Sequence, residues 1–134
     1  MDEKQVGVLS CSGEECLGGT IARLATRKVM EVLRPDNVVT LCLPLYIAGG
    51  EEERDFAKTY PVISVDACDK CCAKRATIKY SGAVKDSLVL SDILGEDVVL
   101  SKIVSARDLK EEHYKMVDEA AEEICKRVDK ILAE

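Results

Sequence analysis

The chain predicts an α/β fold: a three-layer sandwich around a mostly parallel, doubly wound (flavodoxin-like) sheet of four to five strands. Two observations carry that prediction. Short apolar runs bounded by turn residues alternate with stretches of helical periodicity from one end of the chain to the other. Alternating strands and helices place helices on both faces of a parallel sheet, and right-handed crossovers favour the doubly wound order. There is no internal repeat, low-complexity tract or linker, so residues 1–134 read as one domain.

The elements follow in order. Val6 to Ser10 is a buried first strand, and Cys11 to Gly19 is a polar, glycine-containing loop. Thr20 can cap a helix reaching about Leu33, with Ile21, Leu24 or Ala25, Val29 and Val32 on one face, and Pro35 stops it. Val38 to Cys42 is the second strand. A loop from Leu43 to Gly50 leads to a short helix over Glu51 to Lys58, whose acidic start suits the helix dipole. Pro61 precedes the third strand, Val62 to Val65 or Asp66. A helix from near Asp69 to about Tyr80 follows, ended by Ser81-Gly82. Ser87 to Leu90 is the fourth strand, and Val98 to Val104 is either a fifth, edge strand or an extended connection. From Asp108 to Leu132, apolar residues recur at Leu109, Met116/Val117, Ala120/Ala121, Ile124/Cys125, Val128 and Ile131/Leu132 opposite a charged face. Ser105 with Asp108, or Asp108 with Glu111, supplies a capping-box start.

Composition narrows the function. Net charge is −6, with one Phe, four Tyr and no Trp. Such a chain lacks both the phosphate-neutralising surface and the stacking platforms of a nucleic-acid binder. No apolar run is long enough to cross a membrane. Met1-Asp2-Glu3-Lys4 and the short apolar run after it do not form a secretory signal, so a cytoplasmic location is expected. Seven cysteines then point to metal binding or thiol chemistry rather than disulfides. With His113 the sole histidine, a soft-metal site must be built mainly from thiolates.

The cysteines fall where such a site belongs. Cys11 follows the first strand, Cys42 ends the second, and Cys68 follows the third. Parallel strands share one carboxyl edge, which carries the ligand crevice in open sheets. The third loop reads Asp66-Ala67-Cys68-Asp69-Lys70-Cys71-Cys72 and runs into a helix. Side chains at i, i+3 and i+4 share a helical face, so Cys68 can approach Cys71 or Cys72. A helix N-terminus there favours thiolates, and Lys70, Lys74 and Arg75 can offset the negative charge. The expected ligands are Cys11, Cys42, Cys68 and Cys72, with Cys71 and Cys16 in reserve. Zinc leads because it suits four thiolates, while iron or an iron–sulfur cluster stays open. The alternative is that Cys11 and Cys42 are small core residues.

The segments Cys11-Ser12-Gly13, Leu41-Cys42-Leu43-Pro44 and Asp66-Ala67-Cys68-Asp69-Lys70-Cys71-Cys72-Ala73 resemble the DGC-domain family of zinc-binding proteins. The likeness runs from Val6 to about Leu94. It implies metal-binding roles for Cys11, Cys42, Cys68 and Cys72 and no settled activity. Ala67 stands where the family's Asp-Gly-Cys tripeptide has glycine. Either the backbone there is ordinary, since positive φ would resist Ala, or the loop is altered.

Other chemistries compete. A thiol redox or sulfur-transfer role would use Cys68, Cys71 and Cys72, the first two spaced C-x-x-C at a helix start. Gly13, Gly18 and Gly19 match neither phosphate-loop pattern, and read as a tight turn and close helix packing. A phosphatase-type loop would need Arg at position 17, which is Leu17. His113 reads as a helix-surface residue, Cys125 as core and Glu51-Glu52-Glu53 as a solvated helix start. Asp66 is either a loop cap or a hydrogen-bond partner beside the ligands. Tyr46 either covers the site or packs.

Overall fold

The computed structural model describes residues 4–11, 13, 15–95 and 98–134. Ser12 of the first cysteine loop and Met1-Asp2-Glu3 lie outside the described residues.

Four strands form one sheet: β1 (Val6–Ser10), β2 (Val38–Val39), β3 (Val62–Asp66) and β4 (Asp86–Val89). Their order is β2-β1-β3-β4 and every pairing is parallel. This is the doubly wound order expected from the alternating pattern. Because side chains alternate across a strand, Val6 and Val8 of β1 face one layer with Ile63 and Val65 of β3. Leu9 and Val62 face the other.

The first layer contains α1 (Leu17–Lys28) and the long α7 (Glu111–Leu132), which lie against each other. Their apolar stripes bury Ile21, Ala22, Ala25, Ala121, Ile124 and Val128 against the sheet. Full burial of an Ile or Val side chain contributes about 1.5–3 kcal/mol, and the single methyl of an Ala roughly 0.8 kcal/mol. Arg127 joins α7 to β4 through Asp86 at 2.7 Å. Arg34 forks onto Asp129 with bonds of 2.8 and 2.7 Å, tying the end of the first helix to α7.

The second layer is made of short pieces: α2 (Leu45–Ala48), α3 (Glu51–Arg54), α4 (Phe56–Thr59) and α5 (Cys72–Tyr80). Tyr46 is wholly buried here, so it packs rather than covering the cysteine loops. Its hydroxyl lies 3.3 Å from Thr77 Oγ1, which in turn donates to the Ala73 carbonyl at 2.8 Å. The remaining element is α6 (Leu90–Leu94), packed on α7.

Several boundaries differ from expectation. The first helix starts at Leu17 rather than Thr20, and its last turn, Val29–Leu33, widens into a π turn before Pro35. β2 ends at Val39 rather than Cys42, because Thr40 bonds Val8 O through its hydroxyl at 2.7 Å. The helix expected over Glu51 to Lys58 is broken into α3 and α4. Val98 to Val104 is no edge strand. It crosses the start of α1, making one antiparallel bridge from Ile103 to Cys16. The last helix begins at Glu111, after a 3₁₀ turn over Ala106–Asp108 that Ser105 caps. Its first turn is held by His113, whose Nδ1 accepts the Lys110 N–H at 2.9 Å.

Candidate metal centre

Strand register brings the ends of β1 and β3, and with them Cys11 and the start of the third cysteine loop, to one carboxyl edge. Ser10 pairs with Val65, and Asp66 with Val89. Cys11 is the first residue beyond β1, its N–H bonded to Val65 O at 3.0 Å. Its side chain is half-buried beside Asp66, Ala67, Gly13 and Cys16. Burial raises the Cys11 thiol above its ordinary range. Hydrogen bonds from the Ala67 and Gly13 backbones oppose that rise, and the charges of Asp66 and Cys16 add to it.

Cys16 occupies the N-cap of α1. The first free N–H groups of a helix normally make an anion site. Here protein carbonyls occupy two of them: Leu17 N donates to Lys102 O and Gly18 N to Leu100 O, both at 2.8 Å. That strap excludes a phosphate cradle at this position. The glycines serve close packing instead. A Cβ on Gly18 would stand 2.5 Å from the Ala67 Cβ and 3.0 Å from that of Leu100.

Cys42 is exposed on the segment after β2, and it lines the same cleft as Cys11. Arg23, Thr26 and Arg27 of α1 also line that cleft.

The third loop is organised by Asp66. It is almost fully buried at the end of β3, yet its carboxylate accepts the N–H of Ala73 at 2.7 Å and of Lys74 at 3.2 Å. The cap of α5 therefore comes from a strand end six residues before the helix. Asp66 is thus the loop cap, and Cys11 and Cys71 both feel its charge. Burial pushes its carboxyl upward, against those two N–H groups and the Lys74 charge.

This arrangement shifts the helix start from Asp69 to Cys72, so Cys71 is the N-cap rather than part of the first turn. Cys71 is left-handed, φ 53° and ψ 51°, the one non-glycine residue with positive φ among those described. Ala67 has ordinary backbone, which answers the question raised by its departure from the Asp-Gly-Cys tripeptide. The Cys68 carbonyl accepts the Cys71 N–H at 3.2 Å, closing a tight turn that leaves Cys68 and Cys72 exposed. Burial and the Asp66 charge raise the Cys71 thiol despite Lys74 and Arg75. The helix start thus does not favour a thiolate at that residue, contrary to expectation.

None of the seven cysteines, all among the described residues, forms a disulfide. Cys11 meets Cys16 and the start of the third loop, and shares a cleft with Cys42. Among the described residues no three Cys, His, Asp or Glu side chains already stand close enough to hold an ion. Cys125 is buried on α7, in the core as expected. No described helix is long and apolar enough to cross a membrane.

No curated protein and no solved structure matches the chain. The family model of the DGC domain matches residues 7–125, spanning all six candidate ligands and both layers of the sandwich, and the chain belongs to the DGC-domain family.

Proposed function

We propose that this chain is a zinc-binding module of a reducing compartment, with Cys11, Cys42, Cys68 and Cys72 as ligands and Cys71 and Cys16 beside them. The observation supporting this reading is the position of Cys11. It is held half-buried between the ends of β1 and β3, next to the third cysteine loop and in one cleft with Cys42. The donor set fits in kind: soft sulfurs, all unpaired, carried by three loops on the edge where open parallel sheets bind ligands. Its geometry is open, so Cys42, Cys68 and Cys72, all exposed, must be drawn onto the better-anchored Cys11. A closed four-thiolate zinc supplies cross-linking of the loops, in a structural, carrier or sensor role.

The test is anaerobic zinc titration against a chromophoric chelator. One zinc per chain is expected. Cys72→Ser should weaken binding at least about tenfold and Cys125→Ser should leave it unchanged. Equal loss in both variants contradicts the ligand assignment.

A second reading, thiol redox or sulfur transfer, is favoured by the turn that closes Cys68 onto Cys71. It predicts a reversible Cys68–Cys71 disulfide in metal-free protein after mild oxidation, visible as a loss of two mass units per chain. Absence of that species contradicts it.

A further inference from the structure

The loop after β1 begins and ends on a cysteine, and the backbone holds both ends. Cys11 N donates to Val65 O at 3.0 Å, which fixes the first cysteine to β3. Cys16 caps α1, where its carbonyl accepts the Thr20 N–H at 3.2 Å, and it is bridged antiparallel to Ile103. Both side chains are half-buried. Cys11 also lines an open cleft of about 370 Å³, so a molecule little larger than water can reach its sulfur.

Gly13 joins the two cysteines. Its N–H bonds to the Cys11 sulfur. The Cys16 sulfur occupies the space a Gly13 side chain would take, since a Cβ there would stand 2.5 Å from it. The two sulfurs therefore meet the N and Cα of one residue, atoms a single bond apart, and that residue has no side chain to separate them. Cys16 does not line the cleft that Cys11 shares with Cys42. Cys11 thus has two sets of sulfur neighbours: the exposed cysteines of the metal reading, and Cys16.

We propose that Cys11 and Cys16 form a second, redox-active pair, which hydrogen peroxide joins in a disulfide that withdraws Cys11 from the metal. One sulfur takes an oxygen from the peroxide with release of one water, and the other sulfur displaces that oxygen as a second water. The two thiols lose two electrons and two protons, and the peroxide is reduced to two waters. Rotation of the side chains about their Cα–Cβ bonds is the movement that closes an S–S bond of about 2.05 Å. The disulfide needs no metal. Its effect on zinc rests on the ligand assignment proposed above, because a sulfur in a disulfide is no longer the thiolate that binds the ion.

The experiment treats the reduced, metal-free chain with hydrogen peroxide, alkylates the remaining thiols and maps tryptic peptides. Residues 5–23 carry Cys11 and Cys16 on one peptide, whereas Cys68 lies on 59–70 and Cys71 with Cys72 on 71–74. The 5–23 peptide should escape alkylation and lose about two mass units. Cys16→Ser should abolish that species, and Cys125→Ser should form it at the wild-type rate. Gly13→Ala, whose methyl displaces the Cys16 sulfur, should slow it at least about tenfold. In zinc-loaded protein, peroxide should release the ion to a chromophoric chelator in step with the lightened peptide, and Cys16→Ser should release it at least about tenfold more slowly. Two free thiols on 5–23, or oxidation that only cross-links 59–70 to 71–74, overturns the proposal. So does a wild-type rate in Gly13→Ala. A disulfide that forms while zinc stays bound overturns the coupling to the metal. A disulfide in a chain that never takes up zinc upholds the pair and refutes the zinc assignment instead.

Discussion

Replacing Asp66 tests how the third cysteine loop is built. In Asp66→Ala, the N–H groups of Ala73 and Lys74 lose a buried acceptor at 2.7 and 3.2 Å. Bonds to a charged group are worth about 1.5–3 kcal/mol net, and loss of a helix cap costs about 0.5–2 kcal/mol. Against that loss stands relief from burying a carboxylate whose pKa burial has already raised. The balance is a destabilisation of about 2 kcal/mol, or roughly 8 °C in Tm for a domain of this size. Urea unfolding of metal-free protein at pH 7 measures it. Asp66→Asn, which keeps one acceptor oxygen, should fall between wild type and Asp66→Ala. The pH dependence supplies a sign. With its folded pKa above the unfolded value, Asp66 binds protons more tightly in the native state. Its contribution therefore rises as pH falls through the folded pKa and levels off below the unfolded one. Wild type should gain stability relative to Asp66→Asn between pH 7 and pH 4. A loss in Asp66→Ala below about 0.5 kcal/mol would refute the capping argument, and a pH trend of the opposite sign would show that the two N–H groups outweigh burial at this carboxyl.

Further outcomes follow from the same geometry. Gly18→Ala should destabilise by about 1–3 kcal/mol, because the new Cβ meets Ala67 and Leu100, and adding Ala67→Gly should recover part of that loss in a double-mutant cycle. Timed alkylation of reduced, metal-free protein should modify Cys42, Cys68 and Cys72 before Cys11 and Cys125, since burial hides the latter pair and raises both thiols; peptide mass mapping reads the order. Cys125→Ser should cost about 1–3 kcal/mol in urea unfolding by placing a hydroxyl in the α7 core. Zinc affinity should rise with pH and binding should release protons, because the Cys11 thiol must ionise to bind; Cys11→Ser should release about one proton fewer per zinc at pH 7, and an unchanged proton count would contradict Cys11 as a ligand.

The strands were the most legible part of the sequence. Val6–Ser10 and Val62–Asp66 are rich in Val, Leu and Ile without strict alternation because both are buried on two faces. Helix starts were not legible where tertiary contacts decide them. Gly18 and Gly19 read as loop by local propensity, but their lack of a side chain lets α1 approach Gly13, Ala67 and Leu100. The start of α5 was misplaced because its cap, Asp66, belongs to a different element. Val98 to Val104 carries strand-like residues, yet its carbonyls at Leu100 and Lys102 go to the first N–H groups of α1. The placement of Cys11 and Cys68 just beyond β1 and β3 was readable from spacing alone, whereas Cys42 lies three residues past the end of β2, on a segment that no periodicity describes.

Sulfur donors around a bound zinc ion can be counted directly at the zinc K-edge. X-ray absorption on anaerobically prepared, zinc-loaded protein should give four sulfurs at about 2.3 Å, falling to three with one lighter ligand in Cys72→Ser. A first shell dominated by nitrogen or oxygen, or an unchanged sulfur count in Cys72→Ser, would contradict a zinc centre assembled from the Cys11, Cys42 and Cys68–Cys72 loops.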